Sequence, residues 1–317
     1  MKLSIVIPLL NEKNSLALLT EAIEKTVGGA GVSHEIIFID DGSSDGSFEA
    51  LKEVHEKNPR TVRVFRFSRN YGKSAALSVG IEKAKGDIIV TMDADLQDDP
   101  SAIPDMVRKI DEGWDLVSGW KKKRHDPLTF TLPSKIWNFA TSVIAGIKLH
   151  DFNCGFKAYR AITAKNLEIY GERHRYLPAL AHWEGYSVTE IAVTHHARKY
   201  GKSKYGFSKF YKGIFDLLTI LFLRKYMKNP MHFFGMLGIV FAIAGGAVLV
   251  YFGVEWILTR QMHLRPLVLL AIGAIIMGIQ FISIGLIGEM LTNVAHHDTY
   301  SIRDTLEIAG ESGFQRS

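Results

Sequence analysis

The chain has 317 residues, 47% of them hydrophobic and 22% charged, with a formal net charge of +5 and one cysteine. That length allows one large domain or two smaller ones, and a lone cysteine excludes an internal disulfide and fits a reducing compartment. Neither of its two basic stretches lies in a nucleic-acid motif, so the expected partners are phosphate-bearing ligands or an anionic membrane face, not nucleic acid.

The first residues, MKLSIVIPLLNE, are a short apolar run broken by Pro8, Asn11 and Glu12. This is not a signal-peptide pattern, and the domain that follows is expected to stay in the cytoplasm. Strand-like runs at 3–8, 35–40, 62–67, 87–92 and 115–120 alternate with helical stretches at 14–27, 46–57, 73–84 and 101–112. Turn and cap residues separate them, as in Asp41-Gly42-Ser43-Ser44, Gly86-Asp87 and Asp99-Pro100-Ser101. The pattern predicts an α/β domain with a largely parallel sheet covered on both faces. Ligands bind such sheets at the carboxyl ends of the strands. Glu12, the pair Asp40 and Asp41, and the pair Asp93 and Asp95 all fall there and converge on one rim. No GxGxxG follows the first strand, which disfavours a dinucleotide-binding domain.

The stretch DIIVTMDADLQDDP delivers four carboxylates in seven residues. Like charges that close need a cation among them. Asp93 and Asp95, at i and i+2 after a strand, can share one divalent ion if the backbone turns there. All-oxygen ligation points to Mg²⁺ or Mn²⁺. Asp98 and Asp99 read as the loop's end and a helix start.

Further along, Lys121 to Arg124 form a basic block, and Lys199, Lys202 and Lys204 a looser one. Cys154 has no paired base nearby and reads as a small buried residue. His195-His196 reads as a strand-end pair. Apolar residues recur at helical spacing over 134–148 and 207–223, and both segments are expected to lie in a membrane interface. Residues 233–254 and 267–287 carry no charge, and each is near the ~20 residues that cross a bilayer as a helix. Arg224, Lys225 and Lys228 before the first span favour a cytoplasmic amino-terminal domain, while Arg260 and Arg265 in the opposite loop weaken that signal. The ladder Gly238, Ala242 and Gly246 suits packing against the second span as well as a homo-oligomer contact.

Taken together, SIVIPLLNE, IIFIDDGSSDGS, RNYGKSAALSVGIEKAKGDIIVTMDADLQDDP and DFNCGFKAYR resemble the family-2 glycosyltransferases over roughly residues 3–205. Within these the chain is most similar to the polyprenyl-phosphate group, which holds dolichyl-phosphate mannose synthase and the bactoprenol glucosyltransferases; the two-span tail fits the latter branch. The resemblance implies a GT-A fold (Rossmann-like, mostly parallel sheet), an inverting mechanism and a nucleotide-sugar donor. With the apolar segments above, the expected organisation is a GT-A domain over 1–205, an interfacial amphipathic helix over 206–230, two transmembrane helices over 231–292 and a cytoplasmic tail over 293–317. Pro8, Leu10 and Glu12 would line the nucleoside pocket, with Asp41 beside the base or ribose, Asp40 close by and Lys73 approaching the donor. Asp93 and Asp95 would be the D-x-D pair, with Asp95 and Gln97 holding the metal. Asp151 falls where the family places its candidate base. Arg124, Arg198, Lys202 and Lys204 would meet the acceptor phosphate, although a mostly lysine first loop departs from the family's pattern.

The expected activity is transfer of one sugar to polyprenyl phosphate at the cytoplasmic face of the cell membrane. UDP-glucose is the favoured donor and GDP-mannose the second. A processive polysaccharide synthase would carry Q-x-x-R-W, and no glutamine here starts that pattern. A metal-binding transport subunit would need charged groups along its spans, where only Gln280- and Ser283-type polarity occurs.

Overall fold

Alternating apolar runs and amphipathic stretches assemble here into a seven-stranded sheet with helices on both faces. The computed structural model describes residues 2–29, 31–122, 138–139, 141–169, 173–196, 230–259 and 266–295. They belong to two units, one built on the sheet and one made of two long helices. The first runs β1 (Leu3–Leu9), α1 (Leu16–Ile23), β2 (His34–Asp40), α2 (Ser47–Lys57), β3 (Val62–Arg66), α3 (Lys73–Lys83), β4 (Ile88–Thr91), α4 (Ile103–Asp111) and β5 (Leu116–Lys121). It continues with β6 (Lys157–Arg160), α5 (Ala161–Asn166), α6 (Leu177–Trp183) and β7 (Val188–Val193). The five strands and four helices expected from the sequence are all present, shifted at their ends by a few residues.

The sheet order is β3-β2-β1-β4-β6-β5-β7. Only β6 is antiparallel, to both of its neighbours. Ile5 and Ile7 of β1 face a core shared with Leu16, Leu51 and Met106 of α1, α2 and α4. Val6, Ile37 and Ile89 face the other way, onto Ala76, Leu77 and Ile81 of α3 and Leu177 of α6. Burial on both faces explains why β1, β2 and β4 are near-continuous apolar runs. Register then fixes the rim. Leu9 pairs with Asp40, and Val6 with Thr91, so Glu12, Asp41 and Asp93 follow strands that end side by side. Because β6 runs the other way, its first residue, Lys157, pairs with Thr91 at that same rim. The segment 151–156 is thereby delivered next to Asp93.

Sequence periodicity did not reveal β6 or β7. Lys-Ala-Tyr-Arg in β6 buries a lysine and a tyrosine, and β7 is only partly buried, so neither shows an apolar run. In the 134–148 segment, residues 138–139 and 141–145 are helical; Thr141 and Ala145 point inward, while Phe139 (72% exposed) and Val143 (64%) point outward. The expected 207–223 helix lies outside the described residues.

The second unit is α7 (Pro230–Thr259) and α8 (Pro266–Ala295), of 30 residues each. Both are long and apolar enough to cross a membrane, with mean hydropathy 2.4 and 2.5 over their most apolar stretches. Only 17% and 11% of those stretches are buried, unlike the core helices of a soluble fold. The two helices meet through glycines. A Cβ at Gly238 would lie 2.6 Å from the Gly278 carbonyl oxygen, and one at Gly245 2.5 Å from that of Ala271. Gly246, expected in this ladder, faces open space, and Gly245 takes its place.

Helix α3 reaches the sheet through Gly80, where an added Cβ would collide with Val6 Cγ1 and press on Ile39 at 3.3 Å. Gly80→Ala is expected to lower stability by about 1–3 kcal/mol despite its better helix propensity. Denaturant unfolding of the full chain in detergent checks this, and an unchanged midpoint contradicts it.

Candidate active site at the strand ends

The rim opens into a cleft of ≈ 290 Å³ whose lining includes Pro8, Leu10, Glu12, Asp41, Lys73, Asp93 and Asp95. Seven of the residues expected from the sequence therefore meet in one place. Asn70, Gly72, Ala76 and Ala94 also line it and were not foreseen. Gly72 had a legible signal, since Asn-Tyr-Gly before a helical stretch is turn chemistry, and its φ of 94° requires glycine. Asp41 shapes this side of the cleft. Its carboxylate accepts from the backbone N–H of Tyr71 at 2.7 Å and of Gly72 at 3.0 Å. The first turn of α3, with Lys73 at its start, is thereby held open to the cleft. Asp40 lies beneath, fully buried, accepting from Ser43 N at 2.9 Å and facing Arg66 Nε at 3.4 Å.

The backbone turns directly after the Asp93–Asp95 pair. Leu96 adopts φ 60°, uncommon for a residue with a Cβ, and Asp95 Oδ1 accepts from Gln97 N at 3.2 Å. Gln97 itself is outside the cleft lining; its side-chain amide donates to the His196 carbonyl at 3.4 Å. His196 N returns a bond to the Gln97 carbonyl at 2.8 Å, and His195 bridges Asp98, so the histidine pair is a strand-end feature as expected.

Asp98 and Asp99 have different jobs. Asp99 caps the turn Pro100–Ala102 by accepting from Ser101 N at 2.9 Å. Asp98 is not a cap. It is 2% exposed, pairs with Lys121 Nζ at 2.9 Å, and accepts from Asp93 N at 3.4 Å. Lys121, expected in a basic block with Arg124, is thus turned inward. Burial opposes its charge, yet Asp98 foremost, with Cys154 and Asp93, holds its pKa above the ordinary lysine value. Arg124, Arg198, Lys202 and Lys204 lie outside the described residues.

Asp93 is the electrostatic centre. Lys73 Nζ sits 2.5 Å from its Oδ1. Burial would raise the carboxyl's pKa, but Lys73, then Lys121 and Lys157, outweigh it and hold it at about 2. Gly155 packs against this carboxylate, leaving no room for a side chain. Lys157, 1% exposed, donates to the Cys154 carbonyl. Burial lowers its pKa against the pull of Cys154, Asp151 and Asp93. Asp151 is 1% exposed and outside the cleft lining, and its Oδ1 accepts from Asn153 N at 3.2 Å. Burial pushes the Cys154 thiol up to about 12, which makes it a poor nucleophile at neutral pH. His174 hydrogen-bonds Ser74 Oγ at 2.9 Å beside Lys73. Burial first, then Lys73 and Arg175, push it down to about 3.

A mostly parallel sheet with an acidic rim, a D-x-D turn and an antiparallel strand beside it defines a GT-A glycosyltransferase. The model of glycosyl transferase family 2 matches residues 4–167, and the chain belongs to that family. It is 36% identical over 309 residues to the dodecaprenyl-phosphate galacturonate synthase of Rhizobium johnstonii, covering 95% of this chain and 90% of that protein. It is 33% identical over 300 residues to the undecaprenyl-phosphate 4-deoxy-4-formamido-L-arabinose transferase of Photorhabdus laumondii, covering 92% and 89%. Among solved structures, the glucosyl-3-phosphoglycerate synthase of Mycobacterium tuberculosis with phosphoglyceric acid superposes with TM-score 0.54 at 20% identity, covering 70% of this chain and 79% of that one. The same enzyme with Mn²⁺, UDP and phosphoglyceric acid gives 0.53 at 16% identity, covering 70% and 78%. These structures share its fold.

Lys121→Met strands a buried carboxylate and should cost about 3–5 kcal/mol, most of it restored by adding Asp98→Asn. Asp99→Ala should cost about 1 kcal/mol, the value of a cap. Thermal melts of the three variants test the contrast, and equal losses for Lys121→Met and Asp99→Ala would contradict it. For His174, the unfolded chain takes up a proton below pH ~6.5 that the folded one refuses until about 3, so stability is lost as pH falls through that window. His174→Gln should therefore show a shallower drop in melting temperature between pH 7.5 and 5 than the native chain.

Proposed function

We propose that this glycosyltransferase moves a single sugar from a nucleoside-diphosphate donor to a polyprenyl phosphate at a membrane surface, with inversion. The observation that carries the reading is the meeting of Asp93, Asp95 and Lys73 in one cleft, in a chain that also holds two apolar helices of spanning length. Two relatives whose names carry dodecaprenyl phosphate and undecaprenyl phosphate align over more than nine-tenths of this chain, which supports a polyprenyl acceptor.

Two carboxylates in one cleft fit an oxygen-preferring Mg²⁺ or Mn²⁺ that takes the rest of its shell from phosphates and water. Among the described residues no group of three or more His, Cys, Asp or Glu offers a fuller cage. On this reading Asp95 and Asp93 would hold the ion, and Gln97, whose amide bonds the His196 carbonyl outside the cleft lining, would join them only by turning inward. When bound, the ion neutralises charge developing on the departing diphosphate. Lys73 and the N-terminal end of α3 add positive potential on the same side. Pro8, Leu10, Glu12 and Asp41 form the nucleoside end.

In the transfer, a phosphate oxygen of the lipid forms a bond to the sugar's anomeric carbon as the bond from that carbon to the diphosphate breaks. The nucleoside diphosphate leaves with the electron pair. A phosphate monoester has a second pKa of ~6, so the acceptor is already largely dianionic and needs almost no deprotonation. Asp151, buried and bonded to Asn153 N, then serves to position the 151–156 segment more than to take a proton. The acceptor phosphate is assigned to Arg124, Arg198, Lys202 and Lys204, as expected from the sequence. The interfacial and spanning segments fall at 206–230 and 231–292, with the catalytic domain cytoplasmic and multi-pass insertion in the cell membrane.

The donor sugar is held at class level. The bactoprenol-branch resemblance favours UDP-glucose, whereas the two relatives name galacturonate and 4-deoxy-4-formamido-L-arabinose. A panel of radiolabelled UDP- and GDP-sugars, incubated with polyprenyl phosphate and Mg²⁺, decides it by label in an organic-extractable, acid-labile lipid. No labelled lipid from any donor refutes the proposal. Asp95→Asn should lower turnover by about 100-fold or more without changing the melting temperature. Asp151→Asn should keep measurable turnover with an unaltered pH profile, and loss of an acidic limb would restore Asp151 as the base.

A further inference from the structure

Three lysines surround Asp93, and they differ in their freedom to leave. Lys121 is fixed by its buried pair with Asp98, and its side chain is 14% exposed. Lys157 is enclosed at the start of β6. Lys73 is the first residue of α3, its side chain is 35% exposed, and it crosses the cleft to Asp93 Oδ1. Asp93 cannot follow it. A Cβ at Gly155 would lie 2.9 Å from both carboxylate oxygens, so the backbone there walls off one side. The Asp93 N–H is tied to Asp98. Asp93 is thus a fixed carboxylate that already has a cation, supplied by the chain itself.

That arrangement bears on how a divalent ion would enter. A bare dication entering between Asp93 and Asp95 would leave it and the ammonium competing for two carboxylates at close range, and like charges there repel. A nucleoside diphosphate arriving with its ion brings a new anion for the displaced ammonium. The exchange then costs the cleft no unpaired charge.

We propose that the Lys73 ammonium is a resident stand-in for the divalent cation: it holds Asp93 in the donor-free protein, keeps bare metal out, and passes to the diphosphate when donor and metal arrive together. This rests on the reading that Asp93 and Asp95 hold the donor's ion. Metal and nucleotide binding are therefore synergistic, and Lys73 is what makes them so. The second role also gives a physical reason for a flexible lysine here, because a point charge on a long stem can change partners where a bidentate arginine would be committed.

Mn²⁺ binding to the full chain in lipid nanodiscs, followed by the electron paramagnetic resonance signal of free Mn²⁺, tests the proposal without any turnover. The native protein should bind Mn²⁺ weakly alone and tightly with UDP (or GDP, where UDP does not bind). Lys73→Met should bind bare Mn²⁺ about tenfold or more tighter than the native chain, yet bind UDP in the presence of Mn²⁺ about tenfold more weakly. Lys73→Arg keeps the charge and should exclude bare Mn²⁺ as the native chain does. Lys73→Gln replaces Lys73→Met if the latter fails to fold by circular dichroism. Unchanged or weaker affinity for bare Mn²⁺ in the neutral variant overturns the stand-in while leaving the metal site intact. Mn²⁺ affinity that survives adding Asp95→Asn to Lys73→Met, or a native protein blind to Mn²⁺ even with nucleotide, overturns the metal reading itself.

Discussion

The ionised carboxylate of Asp93, paired with Lys73 at 2.5 Å and backed by Lys121 and Lys157, is the interaction around which the catalytic unit is arranged. An acidic group at the mouth of a sheet would ordinarily drift toward neutrality as its surroundings dry out. Here burial is outweighed by lysines drawn from α3, β5 and β6, so three elements far apart in sequence converge on one oxygen pair. The buried Asp98–Lys121 contact belongs to the same frame. Buried ion pairs contribute little net stability compared with apolar replacements. Its value lies in fixing the loop that carries Asp93 and Asp95, whose backbone includes the left-handed Leu96.

Topology makes the convergence possible. In an all-parallel sheet only strand ends would reach the rim. Inserting β6 antiparallel between β4 and β5 brings a strand start there, and with it the segment Asp151–Lys157 that packs under Asp93. Gly155 is the cost of that approach, since any side chain would displace the Asp93 carboxylate. On the opposite flank Asp41 spends its carboxylate on two backbone N–H groups, trading a free charge for the placement of Lys73.

Much of this was legible in the residues. Apolar runs of strand length, each ending in acid, were enough to place Glu12, Asp41, Asp93 and Asp95 on one rim, because parallel strands put all their carboxyl ends together. What stayed hidden depended on pairing across long sequence distances. Lys121 and Asp98 are 23 positions apart and read as members of a basic block and a helix start; only the sheet order shows them as partners. Lys157 sits in a strand with no periodic signal. The choice between Gly245 and Gly246 at the helix contact is a matter of rotation about the axis by one residue, finer than a small-xxx-small pattern can resolve.

On the proposed function, the two long helices bear on how strongly the sheet unit needs to bind its acceptor. Side chains such as Met236, Val250, Leu258 and Leu270 are 66–78% exposed, while the contact between the helices is made by glycine on backbone. In lipid there is no hydrophobic force drawing helices together, so close approach of backbones is what holds such a hairpin. On the proposed function, a chain anchored by these helices would share a two-dimensional phase with a polyprenyl acceptor, and tethering of that kind raises effective concentration without a single added contact. Binding energy at the strand ends can then go to the diphosphate and its departing charge, where it lowers a barrier, instead of to the lipid tail, where it would only hold the ground state. A small cleft lined by Lys73 together with Glu12, Asp41, Asp93 and Asp95 suits that division of labour.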